Sequence, residues 1–389
     1  MSNLILGKFA LENFYYSTLP ERTSHFSMNI LVRVPNWIGD AVMCLPALMD
    51  LREHDPHATV TVLARPIIGE LLEGHPGVDE VMIYFHQGEH QGLFGLWHLI
   101  QLVKRKNFDC AVLFQNAFEA ALIAWVAGIP SRIGYATDGR RWLLSEHVPR
   151  PDQATLHHTA YYQELVKTIT HSPGKDQAPQ LFLFPDVKHA CARQFPEIFL
   201  PSDGLVIGIN PGSVYGSAKR WIPERFAEVG DRLVERLTKE FPGAPFVRCV
   251  LIGGKGEEAL AQDIARRMRY EPIVLSGRTT IQELMGVLTR CSVLVTNDTG
   301  PMHVAQALGV PVAAIFGSTD PSTTSPHGQF SGVVTASVRC APCLLRACPI
   351  DHRCMSQVSV EQVVDVALSQ LRMMSSGYPD EGRIRGHVG

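Results

Sequence analysis

A chain of 389 residues exceeds one ordinary hydrophobic core, so two domains are expected. Hydrophobic residues make up 46% and charged residues 19%, a globular composition. A formal net charge of −3 gives no polyanion-binding signature, so nucleic acid is excluded as an expected partner.

Taken in chain order, residues 1–27 lack periodicity and are expected to form a loosely packed extension. Leu4-Ile5-Leu6 is apolar, but Lys8 and Glu12 interrupt the run before a secretory signal could form. Short β-rich runs follow at Ile30–Val34, Thr59–Leu63, Val81–Tyr84 and Cys110–Phe114. They alternate with helical patterns at Asp40–Arg52, Ile67–Glu73, Leu93–Lys106 and Phe118–Val126. The best candidate for a membrane span, Gly92 to Val103, is too short to cross a bilayer and carries His98 and Gln101. The protein is therefore expected to be cytoplasmic and to reach any lipid from that side.

From Thr137 to Asp203 the pattern weakens, with helical signal around Thr159–Ile169 and a linker expected near Pro185–Asp203. Alternation resumes with Leu205–Asn210, Val247–Ile252, Ile273–Leu275, Val293–Thr296 and Val312–Phe316. An amphipathic helix is expected at Val360–Leu371, with a disordered tail after Met374. Strands alternating with helices imply parallel sheets, so the fold class is α/β, with two Rossmann-like domains facing a central cleft.

Three strand-to-helix turns carry candidate chemistry. In Arg33-Val-Pro-Asn-Trp-Ile-Gly-Asp40, Asp40 lands at the start of a helix, whose dipole favours a negative charge. It is either a base facing the cleft or merely an N-cap. Asn210-Pro-Gly-Ser213 offers a hydroxyl and turn amides to a phosphate, with Lys219 or Arg220 as a cation; the alternative is a solvated basic loop. In Thr296-Asn-Asp-Thr-Gly-Pro-Met-His303, Pro301 suits a first helical turn, so Thr299 and Gly300 fall at an anion-favouring N-terminus. Asp298 is better suited to sugar hydroxyls or a neighbouring donor, and His303 is either part of the site or a buried helix histidine. A fourth turn, Gly253-Gly-Lys-Gly-Glu257-Glu258, lacks GxGxxG spacing; Glu257 could hold ribose hydroxyls or be an ordinary first-turn charge.

Together these stretches resemble one family. Ile30-Leu-Val-Arg-Val-Pro-Asn-Trp-Ile-Gly-Asp-Ala-Val-Met-Cys-Leu-Pro-Ala-Leu48 looks like the N-terminal signature of the lipopolysaccharide heptosyltransferase II family. Asn210-Pro-Gly-Ser with Lys219-Arg-Trp-Ile-Pro-Glu-Arg-Phe226, and Asn297-Asp-Thr-Gly-Pro-Met-His303 continuing to Phe316-Gly-Ser-Thr-Asp-Pro321, resemble its donor region. The resemblance covers roughly residues 28–372. It implies a GT-B fold, with residues 28–195 holding the acceptor, residues 196–372 holding ADP-heptose, and a flexible tail over 373–389. It also implies an inverting transfer of heptose to the heptosyl-Kdo2-lipid A inner core, with no cofactor and peripheral contact with the inner membrane. Asp40 would be the catalytic base. Ser213, Lys219, Thr299 and Gly300 would touch phosphate, Glu257 the ribose, and Asp298 the heptose, with His303 in the same loop. No DxD-like metal motif is apparent, so protein groups would stabilise the leaving diphosphate.

For the anionic acceptor, Arg140 and Arg141 are the candidates, within a run from Arg132 to Arg150 that also offers the ring of Trp142. Lys104-Arg105-Lys106 could add attraction or simply cap a helix. Five of nine cysteines read as reduced core residues. Cys340-Ala-Pro-Cys343, Cys348 and Cys354 fit no standard zinc finger and are expected to pack reduced, or as a local pair, without metal. Two rival functions remain: a related glycosyltransferase with another acceptor, and a non-catalytic regulator that binds sugar nucleotide or metal.

Overall fold

The computed structural model describes residues 27–151, 156–172 and 174–376. The expected extension, apart from its last residue, and the expected tail beyond residue 376 lie outside the described residues. The first half runs β1 (Asn29–Arg33), α1 (Ile38–Met43), α2 (Leu45–His54), β2 (Thr59–Ala64), α3 (Pro66–Leu72), β3 (Glu80–Ile83), α4 (Gly92–Arg105), β4 (Cys110–Leu113), α5 (Phe118–Val126), β5 (Ser131–Tyr135), β6 (Glu146–Val148) and α6 (His158–Thr170). The second runs α7 (Pro185–Gln194), α8 (Pro196–Phe199), β7 (Leu205–Asn210), α9 (Pro223–Glu240), β8 (Val247–Leu251), α10 (Glu258–Arg267), β9 (Ile273–Val274), α11 (Ile281–Arg290), β10 (Val293–Asn297), α12 (Gly300–Ala307), β11 (Val312–Ile315), α13 (Pro321–Thr324), β12 (Ser331–Val334), α14 (Arg353–Ser356) and α15 (Val360–Ser376).

Each half builds one six-stranded parallel sheet, ordered β3-β2-β1-β4-β5-β6 and β12-β11-β10-β7-β8-β9. Counted from its own first strand, each has the same doubly wound order. The order therefore reverses direction between β1 and β4, and again between β7 and β10. Those are the points where crossovers leave to opposite faces and open a crevice at the carboxyl ends of the strands. Strands β4 and β11 are buried along their whole length, as Cys-Ala-Val-Leu and Val-Ala-Ala-Ile require once helices cover both faces.

Proline marks many helix starts, where the missing amide costs nothing: Pro66, Pro185, Pro196, Pro223 and Pro321 all stand in first turns. It also corrects one expectation. The single helix expected over Asp40–Arg52 is two, broken at Cys44, because Pro46 cannot donate to the carbonyl four residues back. The expected linker at Pro185–Asp203 is likewise mostly helical. Its α7 and α8 pack on α11 of the second half. Strands β5, β6 and β12 were not expected. Their sequences, Ser-Arg-Ile-Gly-Tyr, Glu-His-Val and Ser-Gly-Val-Val, are short and mixed, and β6 and β12 are edge strands with little need for apolar runs.

The halves meet through a shared core. One buried cluster runs from Val32, Ala41 and Leu48 through Tyr162 and Leu165 of α6 to Met285, Met302 and Val304. At its centre α1 crosses α12 with glycine on each side. A Cβ on Gly39 would lie 2.9 Å from the His303 ring, and one on Gly300 would lie 2.9 Å from Ile38 Cβ. Gly300→Ala should thus destabilise the protein by about 1–3 kcal/mol through overpacking, whereas Gly243→Ala, where a Cβ meets nothing within 4 Å, should be near neutral. Paired urea titrations test this; equal midpoints for the two variants would show that the crossing can widen freely.

Candidate functional site

The first crevice is shaped by a buried cation. Arg33, at the end of β1, is 1% exposed and donates to the carbonyls of Val34 (2.8 Å) and Leu63 (3.0 Å) and to Asn36 Oδ1 (2.9 Å). Burial lowers its pKa to about 10, and the carbonyls it holds fix the loop into α1. Asp40 then stands in the first turn of α1, where the dipole favours its charge. It is not the N-cap; that is Trp37, with no side-chain capping bond. Asp40 Oδ1 lies 3.3 Å from His158 Nδ1 and accepts from the Tyr162 hydroxyl at 3.4 Å. Burial next to Asp40 raises the Tyr162 phenol well above its ordinary pKa, so it stays a donor. These groups line a cavity of about 270 Å³ with Asn36, Trp37, Asn116 and Tyr161, at the first switch point. Asn116 Nδ2 donates to the Tyr161 hydroxyl at 2.9 Å.

The second crevice is knit across its own switch point. Asn210 Nδ2, at the end of β7, donates to Thr296 Oγ1 (3.0 Å) and Thr299 Oγ1 (2.8 Å). Asn297, ending β10, accepts from the Trp221 amide at 3.0 Å and donates to the carbonyls of Pro211 and Gly212. The Asn210–Ser213 turn and the Thr296–His303 turn are therefore one unit. Within it Lys219 Nζ pairs with Asp298 at 2.6 Å, with both side chains largely buried, and the Thr319 hydroxyl donates to the same carboxylate oxygen at 2.6 Å. The neighbouring-donor reading of Asp298 therefore fits the geometry. Thr299 is the N-cap of α12 without a side-chain capping bond, and Gly300 is its first residue.

Around this unit sit buried polar atoms that no protein group satisfies: Ser213 Oγ, Glu257 Oε1, Ser276 Oγ and Ser318 Oγ. They follow β7, β8, β9 and β11. Glu257 reaches over Gly212, where a Cβ would sit 2.0 Å from Oε1, while Oε2 accepts from the Gly254 amide at 2.8 Å. Buried hydroxyls and a carboxylate oxygen without partners cost free energy, and a ligand rich in hydroxyls and phosphate oxygens would remove that cost. His303 is 3% exposed, and burial pushes its pKa down to about 4, against the charges of Asp298 and Asp40. It is neutral at pH 7 and fits the buried-histidine reading, packed on Gly39 between the two crevices.

His158, Tyr161 and Tyr162 escaped the sequence reading because they lie in the Pro- and His-rich stretch without an informative motif. Ser276, Ser318 and Thr319 follow strands, and the Phe316–Pro321 run was a usable signal for the last two.

A family model described as glycosyltransferase family 9 (heptosyltransferase) matches residues 96–353. Lipopolysaccharide heptosyltransferase 2 of Escherichia coli strain K12 is 28% identical over 323 residues, 79% of this chain and 88% of that protein. Lipooligosaccharide heptosyltransferase 2 of Campylobacter jejuni serotype O:6 is 25% identical over 344 residues, 87% and 98% of the two chains. Among solved structures, E. coli ADP-heptose lps heptosyltransferase II aligns with TM-score 0.73 at 26% identity, covering 90% of this chain and all of that one. The family 9 glycosyl transferase of Veillonella parvula shares the fold with TM-score 0.79 at 23% identity, over 90% and 99% of the chains. The two-sheet architecture is of the GT-B type.

Two expectations need correction. Arg140 is not a free surface cation: it is fully buried, with Nε donating to Tyr135 O at 2.9 Å and the remaining nitrogens to Gln115 O, Ala117 O, Leu113 O and Asn116 Oδ1. Burial lowers its pKa to about 10. It gathers carbonyls at the ends of β4 and β5, and Arg132 is tied to Leu143 O, Ile129 O and Pro130 O in the same way. Only Arg141 of the candidate pair is exposed. Nor do the clustered cysteines all pack: Cys354 is buried, but Cys340 and Cys343 are exposed and Cys348 lies between, and all nine cysteines are free thiols. Cys348 Sγ accepts from the His352 amide at 3.3 Å. Arg140→Ala should cost about 2–4 kcal/mol of stability by leaving buried carbonyls without donors, and Arg141→Ala less than about 0.5 kcal/mol. Thermal denaturation of both variants checks this; a stable Arg140→Ala protein would return Arg140 to the list of ligand contacts.

Proposed function

Since the chain belongs to glycosyltransferase family 9, the heptosyltransferases, we propose that it moves L-glycero-D-manno-heptose from ADP-heptose to the heptosyl-Kdo2-lipid A inner core of lipopolysaccharide. The observation that carries this reading is the meeting of two unlike crevices at the α1–α12 crossing. One presents a carboxylate to a cavity; the other presents unpartnered donors and acceptors around a buried lysine. The half built on the first sheet holds the acceptor, and the half built on the second holds the sugar nucleotide.

In the reaction an acceptor hydroxyl forms a bond to the anomeric carbon as the bond from that carbon to the diphosphate oxygen breaks. Asp40 takes the hydroxyl proton, and attack from the face opposite the leaving group inverts the anomeric centre. His158 and Tyr162 hold the Asp40 carboxylate in one orientation. ADP departs with its developing charge met by Lys219 and by the amides at the start of α12, near Thr299 and Gly300. Asp298 and Thr319 fix the lysine, Glu257 takes the ribose hydroxyls, and Ser213 with Ser318 contacts phosphate. His303 acts as a packed neutral spacer between the halves. Among the described residues no helix is long and apolar enough to cross a membrane. The protein works in the cytoplasm, in peripheral contact with the inner membrane where its acceptor is anchored.

Release of ADP from ADP-heptose should accelerate when heptosyl-Kdo2-lipid A is added; release that ignores the acceptor would overturn the transferase reading. Asp40→Ala should lower turnover by about 10²–10⁴-fold with ADP affinity kept, as loss of a general base does. Unchanged turnover would remove Asp40 from the mechanism. Lys219→Ala should weaken ADP binding by calorimetry and also slow transfer, because a cation on the diphosphate serves both bound and transition states. An unchanged binding isotherm with an unchanged rate would make Lys219 a partner of Asp298 alone.

A further inference from the structure

The outer layer over the first sheet carries a surface that the transfer chemistry does not use. Leu99, Ile100 and Val103 seat α4 on the sheet, but its first two turns turn Leu93, Phe94 and Trp97 outward, 85%, 93% and 56% exposed. Three large apolar side chains this exposed on neighbouring turns form a patch, not scatter. The helix contains no acidic residue and ends in Lys104 and Arg105, followed by Lys106. α5 packs beside it. There Phe118 and Trp125 each meet the Trp142 ring at 6.0 Å between centroids, and the two tryptophans stay 47% and 66% exposed. A groove of about 450 Å³ between β3 and α4 is lined by Met82, Ile83, Leu99 and Leu102 together with Arg105 and Lys106.

We propose that the α4–α5 face is the surface by which the protein sits on an anionic phospholipid bilayer. Leu93, Phe94 and Trp97 enter the boundary between headgroups and acyl chains, and Lys104 and Arg105 meet lipid phosphates. Lys106 is paired with Glu80 at 2.6 Å, which leaves Lys104 and Arg105. Apolar residues with tryptophan at one end of a helix and these two cations at the other match the layered polarity of such an interface. A second copy of the chain fits less well, because a two-fold contact through Leu93, Phe94 and Trp97 would set Lys104 and Arg105 beside a facing α4 that carries no acidic residue. The one acidic residue of α5, Glu119, is turned to the Tyr84 hydroxyl. The face is also continuous with the acceptor cavity. Ala117 caps α5 and lines that cavity, Phe118 follows it, and Trp37, 53% exposed, lines the same cavity. A hydroxyl carried on a bilayer-anchored molecule thus enters beside the surface that touches the bilayer.

The purpose of this docking rests on the lipid-linked acceptor proposed above, but its chemistry is tested separately. The full chain is sedimented with vesicles of phosphatidylethanolamine and phosphatidylglycerol, and with phosphatidylcholine vesicles for comparison. Wild type should partition onto the anionic vesicles. Phe94→Ser with Trp97→Ser should lower that partitioning by about tenfold or more, since two large apolar side chains are lost. Lys104→Glu with Arg105→Glu should lower it on anionic vesicles and flatten its salt dependence, with ADP affinity unchanged in both variants. Wild type that stays in the supernatant, or variants that bind like wild type, would overturn the proposal. So would a wild-type dimer that the Phe94 and Trp97 changes convert to monomer by light scattering. Turnover on a deacylated, soluble acceptor separates the two readings: turnover without vesicle binding sinks the docking face alone, and vesicle binding without turnover sinks the transferase reading alone.

Discussion

The constraint on which the rest of the site depends is the crossing of α1 and α12, two helices from different sheets that approach until only glycine fits on either side. Gly39 lies against the His303 ring and Gly300 against Ile38, and neither position has room for a methyl group. Because each helix starts at the carboxyl end of a central strand, this one contact sets how far the Asp40 cavity stands from the Lys219–Asp298 pair. Positioning across a cleft is where much of the advantage of a two-substrate enzyme arises, and an error of about 1 Å there is costly. The crossing also explains a neutral histidine at the centre of a polar site: His303 supplies volume there without supplying charge.

The two crevices share one topology and differ in chemistry. In the first, a carboxylate is held by His158 and Tyr162 and stays open to a cavity where Gln115 Oε1 is the lining side-chain atom left without a partner. In the second, the frame of Asn210, Asn297 and Thr299 is fully tied, while Ser213, Glu257, Ser276 and Ser318 each keep an atom without a partner. A rigid frame around unsatisfied groups is preorganised, so a matching ligand gains its hydrogen bonds with little reorganisation of the site.

Much of this was legible in the residues. Apolar runs located nine of the twelve strands, because buried parallel strands must be apolar throughout. Three strand-to-helix turns pointed to groups that the structure gathers at the switch points. Legibility failed where tertiary context decided. Arg140 and its neighbours read as a cationic surface, but the arginines of β5 and the following turn satisfy carbonyls that no sequence pattern reveals. His158 carries no motif; it comes to Asp40 only because α6 folds back onto α1 and α2. The helices at Pro185–Phe199 were hidden by prolines that start helices as readily as they end them. The exposure of Leu93 and Phe94 was also unreadable, since an apolar helix start looks the same whether it is buried or bare.

The apolar cluster shared by the two halves, joined where α1 meets α12 and α3 meets α11, has a mechanical consequence. Two halves joined only by a tether could swing wide apart on a hinge. Here, swinging would pull α1 from α12 and α3 from α11 and expose apolar side chains at both contacts, at roughly 1.5–3 kcal/mol for each one fully exposed. Relative motion is therefore confined to shear, in which packed helices slide by small steps while staying in contact. Substrates must then enter and leave along the rims of the crevices, through adjustments of loops and side chains, while the two sheets keep nearly fixed orientations.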